Sequence, residues 1–125
     1  MREIFTKNAP KPAGHYSQAI VHNGIVYVSG QLPIDPLTVE KQISSIEEQT
    51  EQTLKNLSEI LKAAGSNIES VLKVTVYISD IGLWPRVNTV YSRFFGEHRP
   101  ARAVVPTKEL HFGFQIEVEA IAALE

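Results

Sequence analysis

Between Ile46 and Ala64 the apolar positions recur at helical spacing. Thr53, Leu54, Leu57, Ile60, Leu61 and Ala64 form one stripe, extended upstream by Ile46 and Thr50. Ser45 and Glu48 precede it as a capping box, and Gly65 follows it as a stop. Glu47, Glu51, Lys55, Glu59 and Lys62 fall on the opposite, solvated side. A second helix is predicted to begin near Pro85, which suits a first turn, and to end at Gly96. Val87, Tyr91, Phe94 and Phe95 share one of its sides.

The remaining pattern has a period of two. Leu72, Val74, Val76 and Ile78 alternate with Lys73, Thr75 and Tyr77, which predicts a half-buried strand. Gln18–His22 and Ile25–Ser29 flank Asn23-Gly24, the dipeptide most typical of a two-residue hairpin turn. Pro100–Val105 and Gln115–Ala122 are short, rich in Val and Ile, and bounded by turn residues, so both read as strands. A short first strand, Glu3–Phe5, leads into a loop holding Pro10, Pro12 and Gly14. Residues 33–45 read as an irregular connection with a turn at Asp35-Pro36. The predicted order is β, β, β, α, β, α, β, β.

Two helices cover only one face of such a sheet. The pattern assigns Leu72, Val74, Val76, Ile78, Ile116 and Val118 to the helix side. It assigns Tyr27, Ser29, Lys73, Thr75, Tyr77, Arg102, Val104, Glu117, Glu119 and Ile121 to the other. That second face is too apolar for plain solvent and too charged for a dry core, as at a subunit interface containing a site. Arg102 and Glu117 are expected to share it if their strands are neighbours. An arginine and a carboxylate fixed on stiff strands suit the recognition of an acid and the handling of water. The plainer reading is a solvated cross-strand pair contributing at most about 1 kcal/mol.

Composition narrows the class. The 125 residues fit one domain, taken as 1–125, and an ordinary balance of 43% hydrophobic and 21% charged residues argues against disorder. With 12 basic and 14 acidic side chains the net charge is −2, which offers no global attraction to nucleic acid or anionic membrane. There is no cysteine, which excludes disulfides, thiolate catalysis and thiolate-ligated metals. The N-terminal stretch lacks the apolar run of a signal peptide, and no segment approaches the ~18 apolar residues of a membrane span. The default location is the cytoplasm.

Several stretches carry a resemblance. Pro100-Ala101-Arg102-Ala103-Val104 followed by Ile116-Glu117-Val118-Glu119-Ala120-Ile121-Ala122 closely resembles the C-terminal signature of the Rid family, the YjgF-like enamine/imine deaminases. Tyr16-Ser17-Gln18-Ala19, Val28-Ser29-Gly30-Gln31-Leu32-Pro33, and Val87-Asn88 ahead of Tyr91 and Phe94-Phe95 extend the match over nearly the whole chain. The resemblance implies an α+β, chorismate-mutase-like mixed sheet with two helices on one face. It also implies assembly as a homotrimer with ligand clefts between subunits.

The implied chemistry is hydrolysis of reactive enamines and imines, 2-iminobutanoate and 2-iminopropanoate among them, released by pyridoxal-phosphate enzymes. The products are 2-keto acids and ammonia, and no metal or cofactor is required. By the same resemblance Arg102 would clamp the substrate carboxylate through its planar fork. Glu117 would hold the attacking water and accept its proton. Tyr16, Ser29, Gly30, Asn88 and Val104 would form the substrate-binding surround. Which group protonates an enamine carbon is not legible.

Three departures stand out: His15 where proline is common, Val104 where some deaminases carry cysteine, and the aromatic approach His111-Phe112-Gly113-Phe114. His15 and Phe112–Phe114 are expected to tune substrate choice. The four histidines, at 15, 22, 98 and 111, show no metal-ligand spacing and read as surface or structural residues. Arg93, His98, Arg99 and Arg102 form a basic cluster, and relatives have been described as ribonucleases or translation inhibitors. Without an aromatic-studded RNA motif, and in an acidic chain, that reading ranks below the deaminase. A non-catalytic small-carboxylate binding or regulatory module is the alternative of a different class.

Overall fold

Ser45 caps the first helix as its spacing predicts: its hydroxyl accepts the Glu48 amide at 3.1 Å and donates to the Glu48 carboxylate. The computed structural model describes residues 1–124. In chain order its elements are β1 (Arg2–Ile4), β2 (Ala19–His22), β3 (Ile25–Gln31), α1 (Ile46–Ala64), β4 (Val71–Ile78), α2 (Trp84–Phe95), β5 (Ala101–Pro106) and β6 (Ile116–Ala123). Asn23 and Gly24 both take positive φ, 50° and 76°, and so close the β2–β3 hairpin. No helix of the described residues is long and apolar enough to cross a membrane.

The sheet runs β1-β2-β3-β6-β4-β5. Every pairing is antiparallel except β4–β5, which is parallel because α2 carries the chain back between them. The result is a mixed α+β sheet with both helices on one face. Between the layers lie Leu54, Leu57, Ile60 and Leu61 of α1, Val87 and Tyr91 of α2, and Val26, Val74, Val76, Ile116 and Val118 of the sheet. Arg86 on α2 grips Glu47 on α1 through two bonds of 2.7 and 2.8 Å. That guanidinium holds the Glu47 carboxyl down at about 2.

Three assignments to faces change. Leu72 does not join the core: the β4–β6 register slips between Val71 and Lys73, which turns Val71 inward and leaves Leu72 exposed. Arg102 and Val104 do not join the open face either. β5 lies beyond β4 and does not neighbour β6, and its parallel register pairs Arg102 with Val74 and Val104 with Val76, both buried under the helices. Ala101, Ala103 and Val105 therefore take the open face beside Lys73, Thr75 and Tyr77. An edge strand tolerates an arginine on the helix side because the long stem packs while the head reaches water past the helix.

Candidate functional site

Glu117 is placed by alternation along β6. Its neighbours Ile116 and Val118 are buried under the helices, so it projects from the open face, in register with Tyr77 of β4. The start of β6 is anchored from beneath. Gln49 of α1, almost wholly buried, accepts the Gln115 amide at 2.9 Å and donates to the Gln115 side chain and the Ser44 carbonyl, each at 2.9 Å.

On the other side of β6, β3 carries a bulge. Val28 pairs with Ala120 but Gln31 pairs with Val118, so Ser29 and Gly30 together oppose a single residue. The Glu117 carboxylate lies flat against Gly30: a Cβ there would overlap Oε2 and stand 3.1 Å from Cδ. Ser29, beside it, is tied to the preceding loop. Its hydroxyl donates to the Ser17 carbonyl at 2.7 Å and its amide to the Gln18 carbonyl at 2.9 Å, leaving hydroxyl lone pairs to accept.

Loops close the surround. Buried Gln18 accepts the Thr6 amide at 2.7 Å and donates to the Thr6 and Pro10 carbonyls, each at 3.0 Å, which fastens the loop carrying Tyr16. Asn56 of α1 donates to the Leu32 and Ile34 carbonyls and holds the chain beyond Gly30. Between β5 and β6 a tight turn, His111–Gly113, has Phe112 at φ 61° and Gly113 at φ 78°. A phenylalanine in the left-handed region costs on the order of 1 kcal/mol and persists only where its surroundings hold it. Phe114 meets the Phe112 ring edge-on at 6.2 Å, and the Lys41 ammonium sits 4.7 Å above it.

These pieces form a cleft of about 460 Å³ lined chiefly by Tyr16, Ser29, Gly30, Leu32, Phe112 and Glu117, with His111 also in its lining. Among the described residues nothing donates a hydrogen bond to Glu117. Burial pushes its carboxyl above the ordinary carboxylate range, Glu119 adds to the rise, and the positive charge of His111 opposes it. Glu119 itself accepts the Tyr77 hydroxyl at 2.5 Å.

Arg102 stands elsewhere. Its guanidinium carbon lies 4.5 Å from the Trp84 ring centroid and 4.9 Å from that of Tyr91, and its Nη1 donates to Asn88 Oδ1 at 3.1 Å. Trp84, Asn88 and Tyr91 fall on one face of α2, so a single helix fixes the plane of the fork. Trp84, at the start of α2, is a platform for this arginine. Val104 packs at the edge of the core two residues along.

The predicted site residues thus fall into two groups. Tyr16, Ser29, Gly30 and Glu117 gather in the open-face cleft, while Arg102, Asn88 and Val104 lie on the helix side of the far edge. His15 is exposed and does not line the cleft; His111 does. His98 is structural, with Nε2 2.7 Å from the Val71 carbonyl.

The profile of the family described as Endoribonuclease L-PSP matches residues 6–124. The chain belongs to the YjgF/Rid family. A RutC family protein of Pyrococcus horikoshii is 48% identical over 122 residues, covering 98% of this chain and 97% of that protein. The chloroplastic Reactive Intermediate Deaminase A of Arabidopsis thaliana is 41% identical, covering 97% of this chain and 65% of its own length. The crystal structure of E. coli TdcF with bound serine superposes with a TM-score of 0.95 at 34% identity, covering all of both chains. In this Rid chain the anchoring roles of Gln18, Gln49 and Asn56 are not apparent from the sequence pattern, although Gln49 and Asn56 fall among the buried positions of α1.

Proposed function

We propose that the chain is a 2-iminobutanoate/2-iminopropanoate deaminase that hydrolyses reactive imines and enamines to 2-keto acids and ammonia. The observation that carries this reading is Glu117: a half-buried carboxylate in a mostly apolar cleft, without a hydrogen-bond donor among the described residues and seated on a bare glycine. A carboxylate kept for structure is ordinarily paired; an unpaired one with a raised pKa is suited to take a proton from water near neutral pH. The deaminase named among its relatives fits the same chemistry.

Arg102 supplies the complementary need. Stacked on the Trp84 and Tyr91 rings and tied to Asn88 through Nη1, the guanidinium has its plane fixed for a planar carboxylate. Within one chain it is on the wrong side of the sheet for Glu117. The reading therefore requires a second copy: Arg102 of one subunit faces the Glu117 cleft of its neighbour, and three copies close the ring as a cytoplasmic homotrimer. Partly exposed Tyr27 and Val105 on the open face favour such a covering.

In this arrangement the substrate carboxylate binds Arg102, the C=N carbon faces a water held by Glu117, and Tyr16 closes the side. The test is a coupled assay in which a dehydratase generates 2-aminoacrylate or its four-carbon homologue. Keto-acid release should accelerate with this protein and fall away with Glu117→Gln. Equal release with and without the protein would remove the enzymatic reading and leave a small-carboxylate binding module.

A further inference from the structure

Hydrolysing a C=N bond takes one group to accept a proton from water and another to give a proton to nitrogen. Glu117 suits the first role. Of the other residues lining its cleft, only Tyr16 and His111 carry titratable groups, and His111 is the one basic side chain among the described residues there. The Tyr16 hydroxyl is turned back on its own loop, 3.4 Å from the Ala13 amide.

His111 is held in place by its backbone. The left-handed pair Phe112 and Gly113 folds the turn against the cleft, and Phe112 is pinned by Lys41 and Phe114. The imidazole lies beside Phe112, with ring centroids 6.0 Å apart, and lines the same cleft as Glu117. An imidazole can both give and regain a proton through its ring nitrogens.

We propose that His111 is the proton donor of this cleft, acting on the C=N nitrogen opposite Glu117; this rests on the imine-hydrolase reading. The water oxygen bonds to the carbon as its proton passes to Glu117. The π pair moves to nitrogen, which takes the imidazolium proton. The proton on Glu117 then moves to the amine, the C–N pair departs with ammonia, and the hydroxyl proton returns to the imidazole. One water enters, one ammonia leaves, and both side chains are restored.

The charge of His111 already acts on Glu117, lowering its pKa against burial. The other titratable groups facing that carboxylate are Glu119 on its own strand, Tyr77 from β4 and Tyr16 from the loop, while Lys41 is the further cation beside the turn.

The experiment compares the parent with His111→Gln, which keeps a polar side chain but cannot shuttle a proton. The parent should give a bell-shaped pH–rate profile. His111→Gln should lose the alkaline limb and about 10²-fold in kcat, with KM little changed. Carbon-13 NMR of the Glu117 carboxyl should show it titrating at higher pH in the variant, because the opposing charge is gone. An unchanged profile, or an unshifted Glu117 titration, overturns the donor role alone. A parent inactive on every imine overturns the hydrolase reading, and the donor role with it.

Discussion

Gly30 and Glu117 are fitted to each other: the carboxylate occupies the space that any side chain at position 30 would fill. The bulge in β3 brings that bare backbone under the acid, and among the described residues the acid has no hydrogen-bond donor. Gly30 does not sit at positive φ, so its backbone would accept alanine and only the contact forbids it. Gly30→Ala should therefore fold while displacing the Glu117 carboxylate. Imine hydrolysis should fall by about 10²-fold, the scale of a one-ångström misplacement of a catalytic group. Thermal melts alongside rate assays would check it; parent-level activity would detach Glu117's position from catalysis.

Glu117 also links activity to stability. Burial raises its folded pKa above the unfolded value, so the folded state binds more protons between the two. Stability from this group is fully present below the unfolded pKa and is lost as pH rises through the folded one. Glu117→Gln removes that loss, so it should be more stable than the parent at neutral pH, with the gain shrinking as pH falls. The same variant should still bind 2-oxobutanoate but hydrolyse imines ~10²-fold more slowly. Denaturant midpoints measured across acid to neutral pH test the first part. A gain independent of pH would rule out ionisation as its source.

How much of this was legible in the sequence depends on what a one-dimensional pattern can carry. The helices were, because Ser45, Glu48 and Gly65 mark the ends of a stripe that packing reinforces. The strands were too, but not all their faces. One inserted residue at Val71–Lys73 expels Leu72, and nothing local announces a bulge there. In β5 the pattern puts Arg102 and Val104 on the open face, yet parallel pairing with β4 turns them inward and Ala101 and Ala103 outward. That choice is made by α2, whose Trp84, Asn88 and Tyr91 receive the arginine. The cleft was half visible: Tyr16, Ser29, Gly30 and Glu117 meet as expected. His111 was hidden, because the left-handed Phe112 that folds it there is a conformation sequence rarely signals.

Trp84 offers a test of the arginine's platform that leaves its charge alone. A cation–π contact contributes about 0.5–2 kcal/mol, and its loss also frees the planar fork to rotate. Trp84→Ala should weaken 2-oxobutanoate binding by about 2- to 30-fold on that scale, while Glu117's titration stays put. Arg102→Lys should do at least as much harm, since it keeps the charge and loses the fork. Titration calorimetry decides it. Unchanged affinity in Trp84→Ala would mean the stacking does not orient the clamp.

The opposite placement of Arg102 and Glu117 makes its own prediction. If each cleft takes Glu117 from one copy and Arg102 from the next, Arg102→Ala and Glu117→Gln are defective in different halves of the same site. Each variant alone leaves every cleft incomplete. When the two are refolded together into mixed oligomers, a cleft is whole wherever the Glu-bearing side belongs to an Arg102→Ala chain and the Arg-bearing side to a Glu117→Gln chain. For random mixing in a closed head-to-tail ring, about one cleft in four meets both conditions. Activity should therefore recover to about a quarter of the parent value from two nearly inactive stocks. Sedimentation should give three copies for the parent and for the mixture. Were the site contained within one chain, mixing would restore nothing, because no chain carries both residues. Mixed trimers that stay inactive would sink the shared-cleft arrangement while leaving the trimer itself in place.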